Sequence, residues 1–449
     1  MAGAFTFPTF TASYFRSNLT LPNLDSVIAE DRAMNKLRAL LPLFFTGAIL
    51  LLNLSIAAQP GDETRMYEEA VSKLNSLGER IAQRPNDAAL YFQRGSVYLN
   101  LYYLHADVAE YHGVVYVNDP GGKALSDLNR AIELDHSKSE YYAERGRFYD
   151  LQWGHTRSRE SEAAASSWEK LRLLYWDNRS FDSAVKDYQQ ALTLARTFSD
   201  TARPLNLLAS LYGARASGAS FYPPAKIVRA EKQARLVFDD FDRSLAFTRK
   251  YVDASERPSD RIFYLRDMYR DKARAAIEFE EYTIGINTLT DGINEIEDRK
   301  GGSEDVCRLY ALRGDIKQKL KDYDAAVRDY TYPIDHKYVN CDDIREKRGD
   351  AYSAKGDWQR AVEDYTLELT KYSYPHESLR TRRAKAYLKI GDAEKALADL
   401  EVAMTYNKSC SEQFRLRAEA YRMLNDENRA VEDEKTAVQL SRNKIGCSL

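Results

Sequence analysis

Chemistry-bearing residues are scarce in this chain. Its 449 residues include only 6 histidines and 4 cysteines. No phosphate-cradling glycine loop, nucleophile elbow or paired-cysteine metal spacing occurs in it. Those absences argue against nucleotide hydrolysis, serine-type acyl transfer and a structural zinc site. A basic surplus is missing as well: 65 Lys and Arg stand against 68 Asp and Glu, a formal net charge of −3. With a pI near 6.2, no field favours nucleic acid. Of the histidines only His105 and His112 share a neighbourhood, with Asp107 and Glu110 between them. Seven residues apart on a helix would put both rings on one face. No third histidine joins them, so they read as surface residues of an inserted loop rather than metal ligands. Neither a catalytic constellation nor a metal or cofactor site is expected.

What the chain does have is a period. In its last third one phrase returns at spacings of 35, 35 and 34 residues. An Arg precedes a small residue; twelve positions on from that residue comes Ala, then an apolar residue, then Asp two further on. It reads Arg313-Gly314 with Ala326 and Asp329, Arg348-Gly349 with Ala361 and Asp364, Arg383-Ala384 with Ala396 and Asp399, and Arg417-Ala418 with Ala430 and Asp433. A fixed period of this size is the mark of one stacked supersecondary unit. Each unit splits into two amphipathic halves around a turn such as Lys355-Gly356-Asp357 or Ile390-Gly391-Asp392, with apolar residues three and four apart. The small residues let two antiparallel helices approach closely, and Tyr323, Trp358, Tyr330 and Tyr365 fill the space beside the contact.

This pattern resembles the tetratricopeptide repeat, in the form found in exported bacterial proteins. The resemblance implies an all-α fold, a right-handed α-solenoid of about eight helix–turn–helix repeats. The same phase extends forward: Gly95, Gly146, Ala209 and Ala273 take the first small position, Ala124, Ala184, Val237 and Gly285 the second. A helix from Tyr67 to Arg84 reads as a half-repeat cap. Six units carry Arg just before the first position (Arg94, Arg145, Arg313, Arg348, Arg383, Arg417). The same six carry Asp three after the second (Asp127, Asp187, Asp329, Asp364, Asp399, Asp433). These read as structural pairs that use the guanidinium fork. The other two units offer Leu208 with Asp240 and Lys272 with Thr288.

Irregularity is confined to the front half, which divides the repeats into an irregular stretch, 59–302, and a regular one with the C-terminal tail, 303–449. The first three units are lengthened at Tyr102–Asn118, Trp153–Asn178 and Tyr212–Ile227. These intervals are rich in rings: Tyr102, Tyr103, Tyr111, Tyr116, Trp153, Trp168, Tyr175, Trp176, Phe221 and Tyr222. Two readings stand, longer helices that bury the rings against each other or a recognition lobe at one edge.

Ahead of the repeats, residues 34–58 have a basic start, an apolar middle and a small-residue exit, with Ser55 and Ala57 placed for cleavage. They read as a signal peptide, or as a single anchor through 39–58 if uncleaved. Residues 1–33 read as an upstream, unstructured extension. The repeats are then expected outside the cytoplasm, periplasmic or extracellular. Cys307, Cys341, Cys410 and Cys447 stand near the starts of successive first helices. They suit two bridges, Cys307 to Cys341 and Cys410 to Cys447, in an exported chain, against four free thiols.

Tetratricopeptide arrays bind protein segments in a concave groove lined by the first helices. The resemblance puts into that groove Arg147, Arg274, Asp315, Asp350, Lys385 and Glu419, with Arg270, Glu346 and Arg415 three before the small positions. No Asn follows any of them, so a clamp for an acidic C-terminus is disfavoured, and the acidic stretch suggests a basic residue in the partner. The expectation is a non-enzymatic scaffold for a protein or peptide segment. The alternatives are a structural subunit that self-associates through its terminal repeats, helped by an apolar face over Ala430–Leu440, and an enzyme with a site in the insertions.

Overall fold

The computed structural model describes residues 62–105, 117–163, 179–220, 227–255, 257–300, 302–338, 341, 343–372, 376–406 and 410–442. Among them every regular element is a helix. The readings of residues 1–58, His112, Cys447 and most rings of the insertions fall outside this set. Contact clustering separates two compact units, Met1–His136 and Ser137–Leu449. The first holds α1 (Asp62–Gln83), α2 (Ala88–His105) and α3 (Pro120–Leu134). The second opens with α4 (Ser139–Ala163), α5 (Arg179–Leu194), α6 (Phe198–Ser220), α7 (Ile227–Asp253), α8 (Ile262–Glu278) and α9 (Tyr282–Asp298). It continues with α10 (Ser303–Lys319), α11 (Tyr323–Asp335), α12 (Ile344–Lys355), α13 (Trp358–Leu369), α14 (Glu377–Lys389), α15 (Ala393–Tyr406), α16 (Ser411–Met423) and α17 (Glu427–Arg442). The helices pack as eight pairs, from α2 with α3 to α16 with α17. Within the second unit each pair also packs on the next, so it is an α-solenoid of tetratricopeptide-like repeats. The break in regularity at 302/303 is not where the compact units divide.

The turn inside each regular repeat is set locally. Lys321, Gly356, Gly391 and Asn425 adopt positive φ at the end of the first helix, a conformation that stops the helix at little cost in Gly or Asn. An Asp follows within two residues, and its carboxylate accepts a backbone N–H three positions on, capping the second helix: Asp322 from Ala325, Asp357 from Arg360, Asp392 from Lys395, Asp426 from Arg429. Close approach of the pair explains the small residues. A Cβ on Gly349 would sit 2.6 Å from a Tyr365 ring carbon, and that ring is 1 % exposed. Repeat seven solves the same contact with Ala384 over a slimmer buried Leu400.

All six Arg–Asp pairs form, each within its own repeat and each bidentate through Nε and Nη2. Arg348 donates to Asp364 at 2.8 and 2.7 Å, and Arg383 to Asp399 at 2.7 and 2.7 Å. Arg94, Arg145, Arg313 and Arg417 repeat the geometry. The third arm reaches further: Nη1 of Arg313, Arg348 and Arg383 donates to Thr290, Thr331 and Thr366, each on the preceding repeat's second helix, at 2.9, 3.2 and 3.1 Å. One guanidinium thus ties three helices. Lys272 keeps the inter-repeat arm alone, donating to Asp242 at the position equivalent to those threonines.

Repeat three departs from the sequence reading. With Leu208 at the usual place, Asp240 is taken by Arg215, two helical turns further along α6, at 2.7 and 2.8 Å. That guanidinium lies 3.6 Å from the Phe181 ring centroid. A seven-residue offset keeps a side chain on the same helix face, which is why the substitution works.

Rings of the lengthened segments that are described turn mostly inward. Trp153 and Tyr212 are buried and meet edge-on across Phe181, with centroids 5.3 and 5.5 Å apart. Tyr103 is exposed. Helices α4, α6 and α7 are simply long. Cys307 and Cys341 are joined in a disulfide with Cα atoms 5.8 Å apart, linking α10 to the segment ahead of α12. Cys410 is also disulfide-bonded; Cys447, the partner that the sequence suggested, lies outside the described residues.

The fork predicts two graded losses. Asp364→Ala strands a guanidinium whose side chain is only 15 % exposed and should lower the unfolding free energy by about 3–5 kcal/mol. Arg348→Lys keeps the charge but loses the fork and the Thr331 bond, and should cost about 1–3 kcal/mol. Urea unfolding measures both, and near-zero losses would remove the fork from the account of stability.

Candidate functional site

The candidate site is the row of first helices in the second unit, α4, α6, α8, α10, α12, α14 and α16. Most successive members touch directly, as α8 does α10, α10 does α12 and α14 does α16. Their side chains form one strip because the small residues of every repeat face the paired second helix, and the next position lies about 100° round the helix, at the edge of that contact.

Most of the charges placed on this strip are compensated from within the chain. Asp315 accepts from the Tyr330 hydroxyl at 2.8 Å and from Lys347 of the next repeat at 2.5 Å. Asp350 accepts from Tyr365 at 2.7 Å and, at 3.0 Å, from Arg382 of the next repeat, whose same nitrogen also serves Glu346 at 2.5 Å. Glu419 receives Lys389 of the preceding repeat at 3.1 Å. Arg147 pairs with Glu144 at 3.0 Å, and Glu144 also takes Arg203 of the next repeat. Arg270 is held by Asp267 and Asp271 at 2.8 and 3.0 Å. Arg415 is the loosest, 3.7 Å from Glu412. Arg274 and Lys385 are exposed and make no ion pair among the described residues.

The acidic stretch is therefore not an open invitation to a basic partner. Its carboxylates accept from Tyr330, Tyr365, Lys347 and Arg382 before any partner arrives. Sequence reasoning missed all four, having read the tyrosines only as filling space. The tyrosine half was visible, because Arg-Gly-Asp at 313–315 and at 348–350 both recur with Asp-Tyr fifteen residues later. The Lys347 and Arg382 half depends on how one repeat is rotated on the next.

The densest charge cluster lies where α8 meets α10. Arg266 donates to Asp267 at 2.9 Å and to Asp305 of the next repeat at 2.8 Å, and Arg270 donates to Asp267 at 2.8 Å. Both contacts fall on Oδ1 of Asp267; its Oδ2 is buried with no partner. Burial pushes this carboxyl up from 3.8 to about 7, against the pull of Arg270 and with a further push from Asp271. Burial likewise lowers Arg266.

Behind the strip, an open depression of about 540 Å³ is lined by Arg249, Tyr269, Asp291, Asn294, Glu295, Asp298 and Arg299. Arg249 donates to Glu295 at 3.1 and 3.0 Å and to the Tyr269 hydroxyl at 2.5 Å, and Tyr269 donates to Glu295. These three groups satisfy one another, and Asp291, Asn294, Asp298 and Arg299 complete the lining. His105 and His112, the pair weighed as metal ligands, lie outside the residues whose side chains are described. Among the described residues no group of His, Cys, Asp and Glu is placed to hold a metal ion, and no helix is long and apolar enough to cross a membrane.

No family model and no curated protein matches the chain. Solved structures with similar helices include MamA of MSR-1, 15% identical over 40% of this chain and 98% of that one, with a TM-score of 0.33. MamA 41-end from Desulfovibrio magneticus RS-1 is 13% identical over 40% and 98%, at 0.36. BtubC from P. vanneervenii is 14% identical over 47% and 92%, at 0.37. At this distance the class of the protein, an α-helical repeat protein, rests on its own helix pairs and their period.

Asp267 supplies a pH test with a definite sign. A carboxyl whose folded value lies above its unfolded value binds its proton more tightly when folded, so stability falls as pH rises from about 4 to 7. Asp267→Asn should flatten that part of the unfolding free-energy profile and leave the variant relatively more stable than the parent at pH 8. Parallel profiles for the two proteins would show that this carboxyl is ionised throughout.

Proposed function

We propose that this protein is a non-enzymatic interaction scaffold that holds a segment of another protein along its strip of first helices. The observation that carries this reading is the continuity of the strip. Ion pairs bridge successive first helices at Arg266–Asp305, Lys347–Asp315, Arg382–Glu346 and Lys389–Glu419. Such bridges restrain the angle between repeats, so the surface is pre-organised, and a pre-organised surface loses less entropy on binding. Selectivity then comes from shape and from the exposed Arg274 and Lys385, while the compensated carboxylates set register.

A photo-crosslinking residue at position 385, compared with one at Leu367, which is 53 % exposed on a second helix, tests the assignment. Partner adducts should form from position 385 and be at least tenfold weaker from 367; equal yields would remove the strip as the binding face.

The reading also makes the protein an exported one, supported by the composition of residues 34–58. Mass determination of the protein purified from its source should give a first residue at Ala58. A chain that retains the apolar run in a membrane fraction supports the anchored form instead, and a chain that retains it in the cytosol overturns export.

A further inference from the structure

The row of first helices is interrupted at one joint. Consecutive first helices lie side by side from α4 to α12 and again from α14 to α16, but α12 and α14 make no comparable backbone contact. Apolar packing divides at the same place. Ile344, at the start of α12, belongs to a core with Cys307, Ala326 and Tyr330 of repeat five, and the Cys307–Cys341 bond staples that start to α10. Leu369, at the end of α13, packs in a core with Leu379 and Ala386 of α14. The start of α12 is thus fastened to the repeat before it, and the end of α13 to the repeat after it.

Between those two ends stands a residue out of keeping with its register. Seven positions after the second small residue every other repeat carries Ala, Ser, Gly or Pro, as at Gly292, Pro333, Ala403 and Ala437. In repeat four the Tyr269 ring fills the space beside Gly292, where an added Cβ would stand 2.7 Å from a ring carbon. Repeat six has Glu368 in the place of the small residue and Arg345 in the place of the tyrosine. Glu368 is fully buried. Its Oε1 accepts from Lys371 at 2.8 Å, its Oε2 has no donor, and Arg345 makes no ion pair among the described residues. A carboxylate oxygen enclosed without a donor carries a desolvation cost that water relieves. Withdrawal of the end of α13 from the start of α12 would supply that water.

At this open end of the repeat the bonds across the divide are polar. Arg382 of α14 donates to Glu346 at 2.5 Å and to Asp350 at 3.0 Å, and the Tyr372 hydroxyl donates to Asp343 at 3.1 Å. At the turn end the Arg348–Asp364 fork and Tyr365 against Gly349 hold α12 to α13. Arg383 to Thr366 and Leu369 against Leu379 hold α13 to α14. We propose that the array carries a hinge at repeat six, about which repeats seven and eight turn as a block relative to the repeats before them. Arg382 is the latch that keeps the hinge closed, and Glu368 is the group that favours opening. The resting strip is set at one angle and yields at this joint. If the strip is the binding face, the hinge widens it to admit a segment and closes it again.

Double electron–electron resonance on the full chain tests this, with spin labels introduced as non-canonical residues so that the disulfides stay intact. Labels at Arg308 on α10 and Arg415 on α16 span the hinge; labels at Ser210 on α6 and Arg308 span two joints outside it, and all three positions are exposed. The control pair should give one narrow distance, and the hinge pair a main distance with a longer, minor one. Arg382→Ala should raise the ratio of minor to main at least threefold, and so should about 0.5 M NaCl, which screens a latch that is 26 % exposed. Arg345→Tyr with Glu368→Ala installs the contact of repeat four and should lower the ratio at least threefold. Glu368→Gln, which keeps the shape of the side chain, should lower it as well. A single distance for the hinge pair in the parent, in salt and in Arg382→Ala would overturn the proposal. Equal broadening of the control pair would overturn it too, as would a ratio that neither Glu368 variant changes. No partner enters the measurement, so a rigid joint removes the hinge and leaves the strip standing as the binding face.

Discussion

The guanidinium fork just before the first small residue is the constraint on which the rest of the structure depends. Two helices that touch through Gly or Ala have little side-chain volume to hold them in register, so apolar burial alone leaves the pair free to slide. A planar donor bonded to a carboxylate at two points fixes both the separation and the rotation of the helices. Because the third arm of the same group reaches the preceding repeat, the setting of one pair is passed to the next. Repeat three keeps the fork at a new place, Arg215 taking over from Leu208, while repeat four keeps only the link to the preceding repeat, Lys272 reaching Asp242. What all these repeats share is a cation on the first helix bonded to an acceptor on a second helix.

The same logic runs through the candidate site. Charges on the strip of first helices were chosen from the sequence as groups for a partner, yet most are engaged in setting the angle between repeats. Asp315 and Asp350 stand directly after the glycines of their repeats. Each accepts from the tyrosine that fills the space the glycine leaves and from a base on the following repeat. A groove built this way is rigid before it is sticky. Recognition then rests on the residues left over and on shape, and not on the total charge of the strip.

The last described second helix departs from the earlier ones at one position. Where earlier second helices offer an acceptor to the next repeat, α17 carries Lys435. Val431 and Val438 keep the apolar character of an internal position.

Much of this was legible in the chain. Period, paired helices, turn positions, small residues and all six Arg–Asp pairs follow from identities at fixed offsets within one repeat, because helix geometry turns a separation along the chain into a separation in space. The partners Lys347 and Arg382, the relocated Arg215, and the buried, unpartnered oxygen of Asp267 did not follow. Each depends on how far one repeat is rotated on its neighbour or how deeply a side chain is enclosed, and no spacing along the chain encodes either quantity. Local register was written in the sequence; which charges stay free for a partner was decided only when the repeats stacked and paired most of them with each other.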